Sequence, residues 1–263
     1  MRPPAALIGR PLFENLVPLL GGWAAPSLPD AQALTRRLHQ HAPAACSGSG
    51  APIRFVPPPA HDPGYERHIH QTGEVPTRPD DWHDFFNALA WCVWPRSKAR
   101  CNELHLAAMA GQGGQPGRGR VRDGLTQWDE CGVLVVSSRP ELLAGLAAHQ
   151  WSEVFWEARA ALLASTRFLV FGHALWDALR APFFGLCGKA VYRQVDEAWL
   201  TWPQAVQQAE ADGWLADWLA EQGMTLGPRS LKPLPVLGIP GVVPESDDPA
   251  YYQDTRQFRP RRV

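Results

Sequence analysis

The placement of proline limits what this chain can fold into. Of 26 prolines, twelve fall before residue 65 and seven after residue 227, which leaves seven for the long stretch between. Proline removes a backbone donor and clashes with the preceding helical turn. Long helices are therefore barred from both ends and must form in the middle. The expected fold class is α+β and mostly helical. Residues 1–64 form a Pro/Gly-rich arm with one helix, packed on the body. Residues 65–263 form a single globular domain that ends in an extended Pro-rich strap.

Local patterns fill in this outline. In the arm, SLPD caps a helix from Ser27 or Asp30 to about His41, with Ala31, Leu34 and Leu38 at helical spacing. ACSGSGAP at 45–52 reads as a flexible loop and RFVPPPAHDPGYE as extended chain. In the body, Asp80 or Asp81 caps HDFFNALAWCVW, which Pro95 stops, and RSKARCNELHLAAMA begins a second helix at once and ends at Gly111. GQGGQPGRGR, residues 111–120, is a glycine-rich loop. GLTQW and VLVVSS on either side of DECG have the composition of a β-hairpin. Helical spacing returns near 139–149, 151–165 and 203–222, with Trp214 and Trp218 on one face of the last segment.

Several function classes drop out on composition. A formal net charge of -1 and a pI near 6.8 argue against a general nucleic-acid binder. The short tail with Arg256, Arg259, Arg261 and Arg262 follows the acids Glu245, Asp247 and Asp248, so it reads as a charge-balanced strap. No run approaches the roughly 18 apolar residues needed to cross a bilayer. The N-terminal apolar stretch is broken by Pro3, Pro4, Arg10 and Glu14, unlike a secretory leader. Cys46, Cys92, Cys101, Cys131 and Cys187 are scattered and include no C-x-x-C pair, as expected of buried thiols in a cytoplasmic protein. The signatures G-x-S-x-G, Walker A and G-x-G-x-x-G are missing from the sequence.

One polar cluster stands out, in WHDFFNALAWCVWPRSKARCNELH at 82–105. His83 and Asn87 are four apart and share a helical face; Asn102 and His105 are three apart on the next helix, with Lys98 four before Asn102. Folded back antiparallel, the two helices would bring both pairs to similar levels, with Asp84 near the rim. Lys98 is one of only three lysines, against 22 arginines. A second cluster, RGRVRDGLTQWDE, offers Arg120, Arg122, Asp123 and Thr126, while Asp129 and Glu130 read as turn formers. His68 and His70 would share a face in a strand, and His173 reads as a core histidine.

The words GEVPTR, WHDFFNALAW, PRSKARCNELH, RDGLTQWDECG, FGHAL and VLGIPG…YYQDTRQFRP, in this order, resemble the bacterial family catalogued as domain of unknown function 3025, from about Tyr65 to Pro260. The resemblance implies a single cytosolic domain and names no activity. The family pattern includes Arg78, His83, Asp84, Asn87, Lys98, Asn102, His105, Asp123, Thr126, Asp129, Glu130 and His173. It does not require His68 or His70. This chain departs from the pattern at Gly124 and Trp128, where the family has Ala and an aromatic such as Phe.

Three functional readings follow. In the first, the protein is an enzyme or binder of a small anionic, phosphate-bearing ligand. His83 and His105 serve as acid and base with Asp84 and Asp123, Asn87 and Asn102 orient, and Arg78, Lys98 and Arg122 neutralise charge. In the second, it is a non-catalytic interaction protein whose His/Asn pairs are structural staples, with a homodimer among its partners. In the third, it is a metal-dependent hydrolase or nuclease that uses the histidines with Asp84, Asp123 or Asp129. Only two imidazoles lie in the cluster and H-E-x-x-H spacing is missing, so the sequence assigns no metal ligands and leaves the cofactor open.

Overall fold

The computed structural model describes residues 3–24, 27–61, 64–111 and 119–261. In chain order the elements are α1 (Val17–Leu20), α2 (Ala31–His41), β1 (Arg54–Val56), α3 (Tyr65–Thr72), β2 (Glu74–Pro76), α4 (Trp82–Val93), α5 (Pro95–Gly111) and α6 (Arg120–Cys131). They continue with β3 (Gly132–Ser137), α7 (Pro140–Ala147), α8 (Arg159–Ser165), β4 (Thr166–Val170), α9 (His173–Leu179), β5 (Gly188–Gln194), α10 (Gln204–Gln222) and β6 (Lys232–Leu234). The architecture is mostly helical α+β. One sheet has the order β4-β3-β5-β6, and β1 pairs with β2 in a second, two-stranded sheet.

β3, with the sequence GVLVVS, is buried at all six positions, as suits the interior strand of a covered sheet. It runs antiparallel to β4 and parallel to β5. Helix boundaries follow local chemistry. Asp30 accepts from Ala33 N at 2.7 Å and starts α2, and Asp81 accepts from Asp84 N at 3.0 Å and starts α4. α5 begins at Pro95, immediately after α4. Its first backbone donors, Arg96 N and Ser97 N, are capped across the fold by Asp212 of α10 at 3.0 and 2.9 Å. One hydrophobic core runs from Leu7 to Phe258, so apolar residues of both terminal segments are packed into it.

Four expectations need correction. The β-hairpin does not form: residues 120–131 are helix α6, leading straight into β3, whose partners are β4 and β5. Val121, Leu125 and Trp128 recur at helical spacing, and burial of Leu125 and Trp128 outweighs the strand-like composition. The 45–52 segment forms an organised turn closed by a Cys46–Pro52 bridge. The 151–165 helix is interrupted by a π turn at Glu153–Glu157. The strap contains β6 and several short 3₁₀ turns, so it is only partly extended. Most of the glycine-rich loop, residues 112–118, lies outside the described residues.

Two glycines set how closely segments approach. A Cβ on Gly124 would lie 2.7 Å from Gly227 Cα. A Cβ on Gly172 would lie 2.5 Å from Glu130 O, Cys131 N and Gly132 N. Phe171 N and Gly172 N both donate to Gly132 O at 2.9 Å, which ties the start of α9 to the end of α6. That junction places His173, the first residue of α9, beside Asp129 and Glu130.

Candidate metal centre

Two histidines from different helices face the same carboxylate. His83 of α4 brings Nε2 to 3.3 Å from Glu130 Oε2, and His173 brings its Nε2 to 3.7 Å from the same oxygen. The imidazoles meet edge to face, with centroids 4.5 Å apart. Behind each ring stands a second carboxylate. His83 Nδ1 is 3.2 Å from Asp84 Oδ1, and His173 Nδ1 is 3.6 Å from Asp129 Oδ2. His173 is 3% exposed, and its Nδ1 has no hydrogen-bond partner. A buried polar atom left in that state is costly and calls for a cause.

Each supporting carboxylate is held in turn. Arg78 grips Asp84 through Nε at 2.9 Å, Nη2 at 2.7 Å and its backbone N–H at 2.8 Å. Lys98 donates to Asp129 Oδ1 at 2.6 Å and to Asn87 Oδ1 at 2.9 Å, with its ammonium 5.5 Å from the centre of the Trp91 ring. Asn87 Nδ2 donates to the Tyr65 hydroxyl at 2.8 Å. Asn102 donates to Glu66 O and Oε2, both at 2.8 Å, and His105 Nε2 lies 3.9 Å from Glu66 Oε1. Asn102 Oδ1 and His105 Nδ1 are buried without partners.

The electrostatics favour a cation. Among the described residues, Asp84 pairs with Arg78 and Asp129 with Lys98, Glu130 meets only imidazoles, and Asp81 shares Arg78 with Asp84. Asp129 and Glu130 also sit in the last turn of α6, the end where the helix dipole disfavours acids. Burial opposes their ionisation, but Lys98 and His173 hold Asp129 below its ordinary pKa, and His83 with His173 does the same for Glu130. For Asp84 burial is again outweighed, here by Arg78 and His83. Hydrogen bonds to Asp84 and Glu130 raise His83 to about 10, whereas burial lowers His173 to about 4. Burial also lowers His105.

The sequence-derived residues divide into three groups. Arg78, His83, Asp84, Asn87 and Lys98 belong to the network. Asn102 and His105 pair with Glu66 of α3, so the imidazole that meets His83 is that of His173. Asp123 is exposed in the first turn of α6, seven residues or about 10 Å of helix from Glu130. Arg122 has a buried, unpartnered Nε. The cations intended for an anionic ligand are matched by carboxylates in Arg78 and Lys98. His68 and His70 lie on helix α3, where residues two apart do not share a face, and His68 pairs with Glu74 at 2.9 Å. Residue-by-residue reasoning missed Tyr65 and Glu66, and it took Glu130 for a turn former, Asp129 for a turn former or a partner of the histidines in the metal reading, and His173 for core. The helical spacing of Val121, Leu125 and Trp128 was the available signal for the last turn of α6. A cavity of about 780 Å³, lined by the 42–50 segment, Arg96 and Arg100 of α5, and α10, takes in none of these site residues.

The family model described as "Protein of unknown function (DUF3025)" matches residues 53–262. The chain belongs to this family. The match takes in the whole network, from Tyr65 and Arg78 to His173. No curated protein and no solved structure matches the chain. Among the described residues, no helix is long and apolar enough to cross a membrane.

Proposed function

We propose that this DUF3025 protein is a metal-dependent hydrolase that binds one first-row divalent ion through His83 Nε2, His173 Nε2 and Glu130. The carrying observation is the convergence of both Nε2 atoms on Glu130 Oε2, with a carboxylate behind each Nδ1. Ligand atoms about 2.1 Å from an ion at tetrahedral angles lie about 3.4 Å apart. The 3.3 and 3.7 Å separations bracket that spacing. A ligating histidine ordinarily gives its other N–H to a carboxylate, which fixes the tautomer and strengthens the donor nitrogen. Asp84 takes that position for His83 at 3.2 Å, Asp129 faces His173 Nδ1 from 3.6 Å without a hydrogen bond, and Arg78 and Lys98 hold the two carboxylates there.

Two imidazoles and one carboxylate are a donor set suited to zinc or ferrous iron with a coordination position left open. The open side follows from burial: His173 is enclosed, whereas His83 and Glu130 are 38% and 36% exposed at their side chains. Water and a substrate oxygen would reach the centre there. A bound ion would supply a hydroxide nucleophile near neutral pH. The test is hydrolysis of p-nitrophenyl acetate and bis(p-nitrophenyl) phosphate before and after chelation. Loss of activity on stripping and its return with zinc, manganese or ferrous iron support the reading. Activity indifferent to chelation, or no hydrolysis of either ester by the metal-loaded protein, overturns it.

A further inference from the structure

The direction of the hydrogen bonds running from Lys98 to Tyr65 is fixed by the chemistry of their first member. An ammonium can only donate. The Asn87 atom 2.9 Å from Lys98 Nζ must therefore be the carbonyl oxygen, which leaves Nδ2 to face the Tyr65 hydroxyl at 2.8 Å. At that contact the phenol oxygen accepts. Its own hydrogen is left over, and no described residue accepts it. The chain is thus a row of donors pointing one way, from a buried charge to a hydroxyl with a free proton. Each bond polarises the next, so the terminal O–H is a stronger donor than an isolated phenol.

The position of this hydroxyl is informative. Tyr65 is the first residue of α3 and is 40% exposed as a residue, while its hydroxyl meets Asn87 Nδ2. Asn87 is one helical turn from His83 on α4, and Lys98 also holds Asp129, the residue before Glu130. The hydroxyl is therefore one hydrogen bond from the helix that carries His83 and two from the lysine that holds Asp129. Burial, with the carboxylates of Glu66 and Asp129, raises the phenol far above its ordinary pKa. The group stays protonated and serves as a donor, not as a nucleophile or base.

We infer that the Tyr65 hydroxyl donates to an oxygen of the substrate, a carbonyl or phosphoryl oxygen that gains negative charge as a hydroxide adds. This rests on the metal-centre reading and gives Tyr65 a catalytic role within it. Lys98 and Asn87 are then positioning residues that orient and polarise the phenol. The substrate class is an ester, amide or phosphoester, whose shared feature is the developing oxyanion.

Tyr65→Phe removes one oxygen and keeps the ring, so the fold and the metal ligands are preserved. The test uses the full chain loaded with cobalt(II), and it titrates inorganic phosphate and acetate against the visible bands of the ion. The wild type and Tyr65→Phe should each take up one ion per chain. Tyr65→Phe should bind whichever anion the wild type binds roughly tenfold more weakly. It should also lower kcat roughly 100-fold for the ester the wild type cleaves, with KM little changed. Equal anion affinity and equal kcat in the two proteins overturn the role of Tyr65 while leaving the metal centre standing. The role of Tyr65 is likewise overturned if neither anion perturbs the cobalt bands of the loaded wild type. Failure of the wild type to take up cobalt overturns the metal reading itself.

Discussion

Lys98 Nζ lies 2.6 Å from Asp129 Oδ1, and the two side chains are only 6% and 21% exposed. This pair couples stability to the candidate site, because Asp129 is also the carboxylate behind His173. Removing one member leaves the other charged and largely buried. Lys98→Met should cost about 3 kcal/mol in urea denaturation, whereas Lys98→Met with Asp129→Asn should cost less than the single change. A double variant at least as unstable as the sum of the two singles would show that the charges are not coupled.

The same pair should act on the metal without touching it. Carboxylates behind ligating histidines are worth roughly tenfold to 100-fold in affinity. Asp129→Asn should therefore weaken zinc binding by about tenfold, read by competition with a chromophoric chelator. Unchanged affinity would remove Asp129 from the centre.

Gly172 tests the backbone junction that brings His173 to Glu130. An alanine Cβ there would meet three backbone atoms at 2.5 Å, none of which can swing aside. Gly172→Ala should cost about 3 kcal/mol and reduce metal occupancy. Wild-type stability and occupancy would show that the junction does not depend on a missing Cβ.

A remote ion pair supplies a control in which stability moves and the site does not. Arg193 binds both carboxylate oxygens of Glu210, Trp199 Nε1 donates to Glu210 at 2.7 Å, and these contacts hold the Glu210 carboxyl below its ordinary pKa. An acid whose pKa is lowered by folding contributes stability above its unfolded value, and that stability is lost as pH falls. Glu210 is about one-third exposed, so solvent screening reduces its worth to about 1 kcal/mol at neutral pH. Glu210→Gln should lower the melting temperature at pH 7 and flatten its decline below about pH 5, with metal content unchanged. Parallel acid limbs in the two proteins would contradict this.

Much of the helical frame was legible because its signals are local. Asp30 and Asp81 are caps, Pro95 separates α4 from α5, and the apolar residues of α2 recur on one face. The site was only half legible. His83, Asn87 and Lys98 lie on two adjacent helices, where spacing arguments apply. Glu130 and His173 meet across 43 residues, through a glycine contact that periodicity does not encode. DECG was misread because turn-forming residue types also occur at the end of a helix that runs directly into a strand. Local chemistry favours a turn there and disfavours acids at a helix C-terminus. Such conflicts between local preference and the final fold gather at functional sites. The anionic-ligand reading failed to anticipate that Arg78 and Lys98 would each be matched by a carboxylate.

The most direct test of the metal centre is elemental analysis of the full chain. Wild type, His173→Ala and Glu130→Gln would be stripped with chelator, re-equilibrated with zinc, manganese, cobalt and ferrous iron, and dialysed. The wild type should retain one equivalent of a divalent ion per chain, and each variant only a small fraction of that. A wild type that retains no ion, or variants that retain as much as the wild type, would contradict the assignment of His83, Glu130 and His173 as ligands.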